Sequence, residues 1–371
     1  MKLNIAVLAG DGIGPEITAQ AVKVLEAIAQ KFRHSFTFSH ALVGGSAIDK
    51  TGNPLPQESL EICRKADAIL FGTIGDPKYN DLEIKNRPEQ GLLKLRKSLG
   101  LYVNIRPIKT FKPLIHKSPI KEKVIANTDF IIFRELSSGI YYGDKNVADD
   151  ESFASDTCFY SADEIDRITH YAFRSAKSRR KKLTLVDKSN VMETSRLWRI
   201  RVKEIAKEYP DVSLFFLHID KAAMELVINP RKFDVILTEN LFGDILSDEA
   251  SVISGSIGLS ASASLGENSV LFEPIHGSYT KYKGKNLANP LATILSAAML
   301  LEHFNLHEEA DAVRNAVEQS IEFNITTRDL NSTKKFAHTS DVGDFISDYI
   351  IDKKSVLYNI ENIDLGQSTI I

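Results

Sequence analysis

Two carboxylates, Asp244 and Asp248, stand four residues apart in the segment TENLFGDILSDEAS, Thr238–Ser251. The segment directly follows the apolar run Phe233–Leu237, which reads as a buried strand. If a helix begins after that strand, this spacing sets both carboxylates on one face, one turn apart. Like charges so close raise each other's pKa unless something positive lies between them. A hard divalent cation with oxygen ligands, Mg²⁺ or Mn²⁺, is one answer. A solvated helix N-terminus, where the dipole favours acids, is the other. Spacing alone leaves both open. HIDKAAMEL places Asp220 after another strand-like run, a third carboxylate available to a metal.

Cationic groups gather in the same way. RPEQGLLKLRKSLGLYVNIRP carries Arg87, Arg96 and Arg106, and Arg134 follows the apolar run Phe130–Phe133. The planar guanidinium matches carboxylate geometry, so several at element ends could clamp a small polyacid. A lone Arg is more often a surface ion pair, and Arg134 could simply pair with Glu135. Tyr141 follows in SSGIYYG. Lys188, in VDKSNVMETSRLW, comes immediately after the strand-like Leu183–Val186, where open α/β sheets place ligand-binding residues, and could act as a base.

The glycine loop GDGIGPE, Gly10–Glu16, lies between a strand and a helix but is not a dinucleotide fingerprint. Its spacing is G-x-G-x-G rather than G-x-G-x-x-G, and Pro15 removes an amide that could face a phosphate. No acidic residue ends a clear second strand about 20 residues on, so a standard Rossmann site is rejected.

The elements that must position these groups alternate between apolar runs and amphipathic segments, the pattern of an α/β fold. Strands are expected at Asn4–Leu8, Ala68–Phe71, Phe130–Phe133, Leu183–Val186, Leu214–His218, Val235–Leu237 and Val270–Phe272. Helices are expected at Glu16–Lys31, Leu60–Lys65, Leu92–Ser98, Ala162–Ser178, Ser195–Glu208, Ala222–Val227, Leu291–Leu301 and Glu308–Phe323. The polar, turn-rich stretch Ile140–Cys158 reads as an extended arm or a surface loop. Lys353–Ile371 reads as a loosely attached tail with one added strand.

At 371 residues the chain can form two domains. Its 43% hydrophobic and 26% charged residues are ordinary for a globular protein, and a net charge of -3 argues against non-specific nucleic-acid binding. Arg179-Arg180-Lys181-Lys182 reads as a solvated helix end. Cys63 and Cys158 are too few for a disulfide framework. No apolar run is long enough to span a membrane and no signal peptide opens the chain, so a cytoplasmic protein is expected.

GDGIGPE, RPEQGLLKLRK, NIRP, RELSSGIYYG, VDKSNVMETSRLW, ENLFGDILSDEAS and EPIHGS…ANP occur in this order. Together they resemble the β-decarboxylating dehydrogenases of the isocitrate/isopropylmalate dehydrogenase family, and most closely the branch acting on 3-isopropylmalate in leucine biosynthesis. The resemblance runs to about Tyr349. It implies two domains sharing a large mixed sheet, not a standard Rossmann fold: a discontinuous cofactor domain, 1–101 plus 255–371, and a substrate, metal and dimerisation domain, 102–254, with the arm near 140–160. It implies a homodimer in which Lys188 and Asp220 serve the neighbouring subunit's site. It assigns Arg96, Arg106 and Arg134 to the substrate clamp, with Asp220 beside them. Tyr141 and Lys188 become the acid–base pair, and Asp220, Asp244 and Asp248 the ligands of Mg²⁺ or Mn²⁺. Glu89, Leu92, Leu93 and Val191 match the pocket for the substrate's side chain, Glu89 also bordering the cofactor. Glu273, His276, Gly277, Ser278 and Asn289 match the cofactor loop.

Three positions depart from the family pattern. SSGIYYG replaces TGGIYFG, Lys221 follows Asp220 where Asn or a small residue is usual, and Lys281-Tyr282 replaces an Asp with an aliphatic residue. The Asp would accept from the ribose 2′-hydroxyl of NAD, so its loss makes NADP possible beside the expected NAD. The implied reaction is oxidation of 3-isopropylmalate at C2 and decarboxylation to 4-methyl-2-oxopentanoate. Isocitrate, homoisocitrate, tartrate and D-malate dehydrogenases share the machinery and differ at the C3 substituent. Leu92 and Leu93 suit an alkyl group, whose burial is worth about 1.5–3 kcal/mol, whereas a carboxylate there would lose hydration without compensation. A non-catalytic regulatory subunit is the alternative of another class, and the completeness of the active-site set argues against it.

Overall fold

The computed structural model describes residues 1–331 and 335–364. Its strands are β1 (Lys2–Gly10), β2 (Ser35–His40), β3 (Ala68–Thr73), β4 (Val103–Lys109), β5 (Asp129–Glu135), β6 (Lys145–Val147), β7 (Ala154–Asp156), β8 (Lys182–Asp187), β9 (Ser213–His218), β10 (Val235–Thr238), β11 (Ala261–Leu265) and β12 (Val270–Pro274). The chain divides into two compact units, Met1–Lys94 with the described residues from Leu271 onward, and Leu95–Val270.

The first unit orders its strands β2-β1-β3-β12, all parallel. β3 is buried at every residue, as expected of a parallel strand covered on both faces. The helix Gly14–Phe32 opens with Pro15 in its first turn and packs against the helices Leu291–His303 and Thr339–Ile351. β2 is an edge strand that the apolar pattern does not announce, because its residues are partly or fully exposed. It ends in His40, so the acid of a dinucleotide fingerprint is still missing.

The second unit is a mixed sheet, ordered β11-β4-β5-β10-β8-β9. β4 runs antiparallel to both β11 and β5, while β5, β10, β8 and β9 are parallel. Residues 95–101 and 255–270, both expected with the discontinuous domain, fall in this unit, the latter because β11 pairs with β4 from Ala263↔Ile105 to Leu265↔Val103. Its core gathers Phe130, Ile132, Val186, Ile236 and Leu246 from β5, β8, β10 and the helix Asn240–Ser251, with Phe233 just before β10. The region of the expected arm holds an exposed antiparallel ribbon, β6 with β7.

Two expectations change. The basic run 179–182 is not a solvated helix end: Arg179 bonds the buried Asp234 at 2.9 Å and Asp129 at 2.6 Å, and Arg180 donates to Phe233 and Asp129 carbonyls. An ion-paired carboxylate just before β10 thus draws the cations onto the amino-terminal ends of the interior strands β5 and β10. The tail is helical, not extended, over Lys353–Asp364, and residues 365–371 lie outside the described residues.

Candidate active site

The parallel strands of the second unit deliver their chemistry at their carboxyl ends, as open α/β sheets do. β5 ends on Arg134-Glu135, β8 runs into Lys188, β9 into Asp220, and β10 into the helix Asn240–Ser251 carrying Asp244 and Asp248. Gly243 lets that helix lie on the Arg134 stem. A Cβ at Gly243 would stand 2.6 Å from Cγ and 2.7 Å from Cβ of Arg134.

Arg134 is buried and fixed on two sides. Its Nε and Nη2 donate to Asn240 Oδ1 at 3.1 and 2.8 Å, its Nη1 bonds Asp244 Oδ1, and it lies over the Tyr141 ring at 5.7 Å. It does not pair with Glu135, which instead accepts from the amides of Ser137 and Ser138. Arg106, in β4, donates to Asn104 Oδ1 at 2.7 Å and to Ser247. It lies 3.4 Å from Asp244 and 3.9 Å from Asp248. Arg96 is buried on the helix Glu89–Ser98, near enough for its charge to act on Arg106 and Asp244. Arg87 donates to the carbonyls of Leu82 and Asn80 and takes no part in this cluster.

The Tyr141 hydroxyl donates to Asp244 Oδ2 at 2.9 Å. Burial, reinforced by the Asp244 charge, raises the phenol's pKa, so it holds its proton at neutral pH. Burial disfavours the charge on Asp244, but Arg134 and Arg106, with the Tyr141 hydrogen bond, outweigh it and hold the carboxyl below its usual range. Asp248 is pushed up, by burial first and by Asp244, with Arg106 opposing. Burial and then Arg134 lower Arg106 to about 9, which leaves it a cation at neutral pH.

Lys188 and Asp220 form a separate pair, joined by an Nζ–Oδ1 salt bridge that holds the Asp220 carboxyl down. Val191 is exposed nearby in sequence. Asp220 therefore does not join Asp244 and Asp248 within one chain. Among the described residues no group of three or more His, Cys, Asp or Glu is placed to hold a metal. The oxygen-only pair Asp244 and Asp248, one turn apart on the helix Asn240–Ser251, nevertheless fits a hard cation in chemistry. Asn104, Asn240 and Ser247, which orient Arg106 and Arg134, are not singled out by residue type or spacing. Their signal was present as polar residues inside the quoted NIRP and ENLFGDILS runs.

In the first unit the expected cofactor residues lie on and after β12. Glu273 is buried, and its carbonyl accepts from Ser296. His276 is half-buried, with its Nε2 enclosed and lacking a hydrogen-bond partner, while Gly277 has open space where a Cβ would be. The open space at Gly277 leaves room for a ligand to approach the backbone closely, next in sequence to a buried ring nitrogen that still lacks a partner. Ser278 accepts from the Ile13 amide at 2.8 Å. Asn289 Oδ1 accepts from the Leu291 amide at 3.0 Å where the helix Leu291–His303 begins, and its Nδ2 donates to Asp329. Lys281 is exposed, whereas Tyr282 packs on Ile13, Ile17 and Ala288 and stacks on Tyr279 at 5.0 Å. Glu89 is exposed, its carboxylate 2.7 Å from where a Gly75 Cβ would stand. Leu92 and Leu93 are half-buried, one turn before Arg96 on the same helix.

Known proteins resemble the chain over nearly its whole length. The family model described as isocitrate/isopropylmalate dehydrogenase matches residues 4–346. The chain is 50% identical over 353 residues to the 3-isopropylmalate dehydrogenase of Bacteroides fragilis, covering 94% of this chain and 99% of that one. It is 51% identical over 348 residues to that of Thermotoga maritima, covering 93% and 98%. Among solved structures, isocitrate dehydrogenase from Methylococcus capsulatus superposes with a TM-score of 0.85 at 32% identity, over 94% of this chain and 100% of the other. A β-decarboxylating dehydrogenase from Thermococcus kodakarensis gives 0.78 at 36%, over 95% and 97%. The chain belongs to the isocitrate/isopropylmalate dehydrogenase family.

Proposed function

We propose that this protein is a cytoplasmic, homodimeric 3-isopropylmalate dehydrogenase that oxidises and decarboxylates its substrate to 4-methyl-2-oxopentanoate in leucine biosynthesis. The observation that carries the reading is the convergence of Arg96, Arg106 and Arg134 on Asp244 and the Tyr141 hydroxyl. Three guanidinium charges against two aspartates leave the site with an excess of positive charge, and the planar guanidinium suits carboxylates, so the site favours a carboxylate substrate. Near-full-length identity to 3-isopropylmalate dehydrogenases supports the choice of substrate.

The guanidinium groups bind and orient the two substrate carboxylates. The orientation of Arg106 is set by Asn104 and Ser247 and that of Arg134 by Asn240, which limits the entropy lost on binding. Leu92 and Leu93, on the same helix face as Arg96, supply an apolar wall for the isopropyl group, with Val191 completing it. Lys188, supplied with Asp220 and Val191 by a second copy of the chain, takes the proton of the C2 hydroxyl as hydride leaves. Tyr141, kept protonated by its burial, delivers a proton to the carbon that loses carbon dioxide. Mg²⁺ or Mn²⁺, held by Asp244, Asp248 and the other copy's Asp220, would supply Lewis-acid polarisation at C2, and NAD would accept the hydride. Glu89, Glu273, His276, Gly277, Ser278 and Asn289 would hold the cofactor.

The replacement Lys281-Tyr282 favours a second reading for the cofactor alone. An exposed lysine accommodates a 2′-phosphate that an Asp would repel, yet such a surface charge contributes only about 0–1 kcal/mol. Tyr282 is committed to packing on Ile13 and Ile17. We therefore assign NAD, with NADP used less well. Steady-state assays of 3-isopropylmalate, isocitrate and D-malate with each cofactor, with and without chelator, test the whole reading. The expected result is metal-dependent turnover with the highest kcat/KM for 3-isopropylmalate and NAD. Isocitrate as the better substrate would overturn the assignment, and a strong preference for NADP would overturn the choice of cofactor.

A further inference from the structure

The glycine loop Gly10–Glu16 has no task in the reaction as derived, although it stands in the position of a phosphate loop. We propose that it is a cradle that holds the cofactor loop, residues 276–286, in its binding shape, with Glu16 as the positioning residue. The inference rests on the reading of that loop as the nicotinamide-cofactor site.

The two segments touch at both ends and in the middle. At one end the Ile13 amide donates to the Ser278 carbonyl at 2.8 Å. Gly12 makes that approach possible. Its φ is +57°, and a Cβ there would stand 2.0 Å from the Ser278 oxygen. In the middle, Tyr282 packs on Ile13 and Ile17. At the other end both carboxylate oxygens of Glu16 are engaged. Oε2 accepts from the Asn286 amide at 2.9 Å, and Oε1 accepts from the Gly284 amide. Asn286 is tied in turn to Ser340, through Nδ2 at 2.9 Å and Oδ1 at 3.0 Å.

The loop needs such a hold. Tyr279, Gly284 and Asn286 lie at φ of +41°, +71° and +55°, and left-handed backbone at non-glycine residues persists only where its surroundings over-determine it. A carboxylate taking two loop amides is a charge-assisted restraint of the stronger kind. It also accounts for the motif's departure from a phosphate loop: a carboxylate at Glu16 and an imide at Pro15 repel or fail to bind a phosphate, but serve an anchor for backbone N–H groups. Gly12 and Glu16, four residues apart, mark the two ends of one docking line.

The test compares wild type, Glu16→Ala and Glu16→Gln by calorimetric titration with NADH and NADPH and by steady-state kinetics. In Glu16→Ala the Kd for NADH and the KM for NAD should rise about tenfold, the loss of a charge-assisted restraint. The KM for 3-isopropylmalate should change little, and amide exchange at Gly284 and Asn286 should quicken. Glu16→Gln, which keeps one acceptor oxygen, should lie between. Unchanged NADH binding in Glu16→Ala would overturn the proposal. So would an equal rise in both KM values with slow exchange at the two amides. Wild-type protein that binds neither cofactor would instead overturn the cofactor reading, and this inference with it.

Discussion

Tyr141 and Asp244 show how one residue's environment sets its neighbour's protonation. The tyrosine keeps its proton because it is buried and faces an anion; the aspartate stays ionised because two arginines and that hydroxyl outweigh its burial. This division of labour predicts separable lesions. Tyr141→Phe should slow product protonation and leave hydride transfer detectable as a pre-steady-state burst of NADH, whereas Lys188→Ala should remove the burst, each change costing roughly 10²–10⁴-fold in turnover. Bursts of equal size in both variants would show that acid and base are misassigned. Behind Lys188 lies a second titrating group. The Lys188 amide donates to Ser195 Oγ at 3.0 Å, and Ser195 donates to the buried Glu239, whose carboxyl is pushed by burial from 4.5 up to about 7. A raised carboxyl pKa means that the folded chain holds a proton the unfolded chain has released. This stability is complete below about pH 4.5 and is lost as pH rises through about 7, by roughly 3 kcal/mol in all. Glu239→Gln keeps an acceptor for Ser195 and carries no charge. Its Tm should exceed that of wild type at about pH 8 and converge with it near pH 5. A Tm difference independent of pH would show that Glu239 titrates normally.

Among the elements, the helix Asn240–Ser251 carries the closest tolerance, because Gly243 rests against the Arg134 stem. Gly243→Ala should favour the helix intrinsically by about 1 kcal/mol yet displace the guanidinium. The expected outcome is a KM for 3-isopropylmalate raised on the order of tenfold with the helix intact by circular dichroism; an unchanged KM would mean that Arg134 moves aside without consequence. How legible each element was follows from its burial. β3, β5, β8 and β10 are covered on both faces, so their apolar runs stood out. The apolar pattern does not announce β4, and Pro107 argues against an interior strand there. Yet β4 pairs with β11 only over Val103–Ile105, so that edge of Pro107 owes no ladder bond there. β11, with the sequence ASASL, lacks the β-branched signature and is recognisable only by its partner. The helices Thr339–Ile351 and Lys353–Asp364 passed unseen among Ser and Asp residues that suggest turns. At the site, the arginines and carboxylates were legible by type and spacing. Their orienting partners Asn104, Asn240 and Ser247 were not, since a polar residue in an apolar run does not reveal which guanidinium it faces.

On the scale of the whole molecule, one chain leaves the chemistry divided. Lys188 and Asp220 neutralise each other, apart from the Asp244–Asp248 pair. The elements that carry these groups also leave apolar side chains in solvent. Phe215 on β9, an edge strand, is 48% exposed, and Met224, Val227 and Ile228 on the helix Ile219–Ile228 and Ile245 on the neighbouring helix are exposed with it. Exposed apolar side chains grouped on adjacent elements mark an association surface, and a two-fold dimer would bury two copies of it at once. If a site draws Asp244 from one copy and Lys188 from the other, two inactive variants should restore each other. In a mixed dimer of Lys188→Ala with Asp244→Asn, one site receives both lesions and the other receives neither. Random reassociation makes about half the dimers mixed, with one intact site in two, so activity should return to about a quarter of wild type. Were each site built from a single chain, every site would carry one lesion. The mixture would then stay as inactive as its parents, and the proposed sharing of Lys188 would fall.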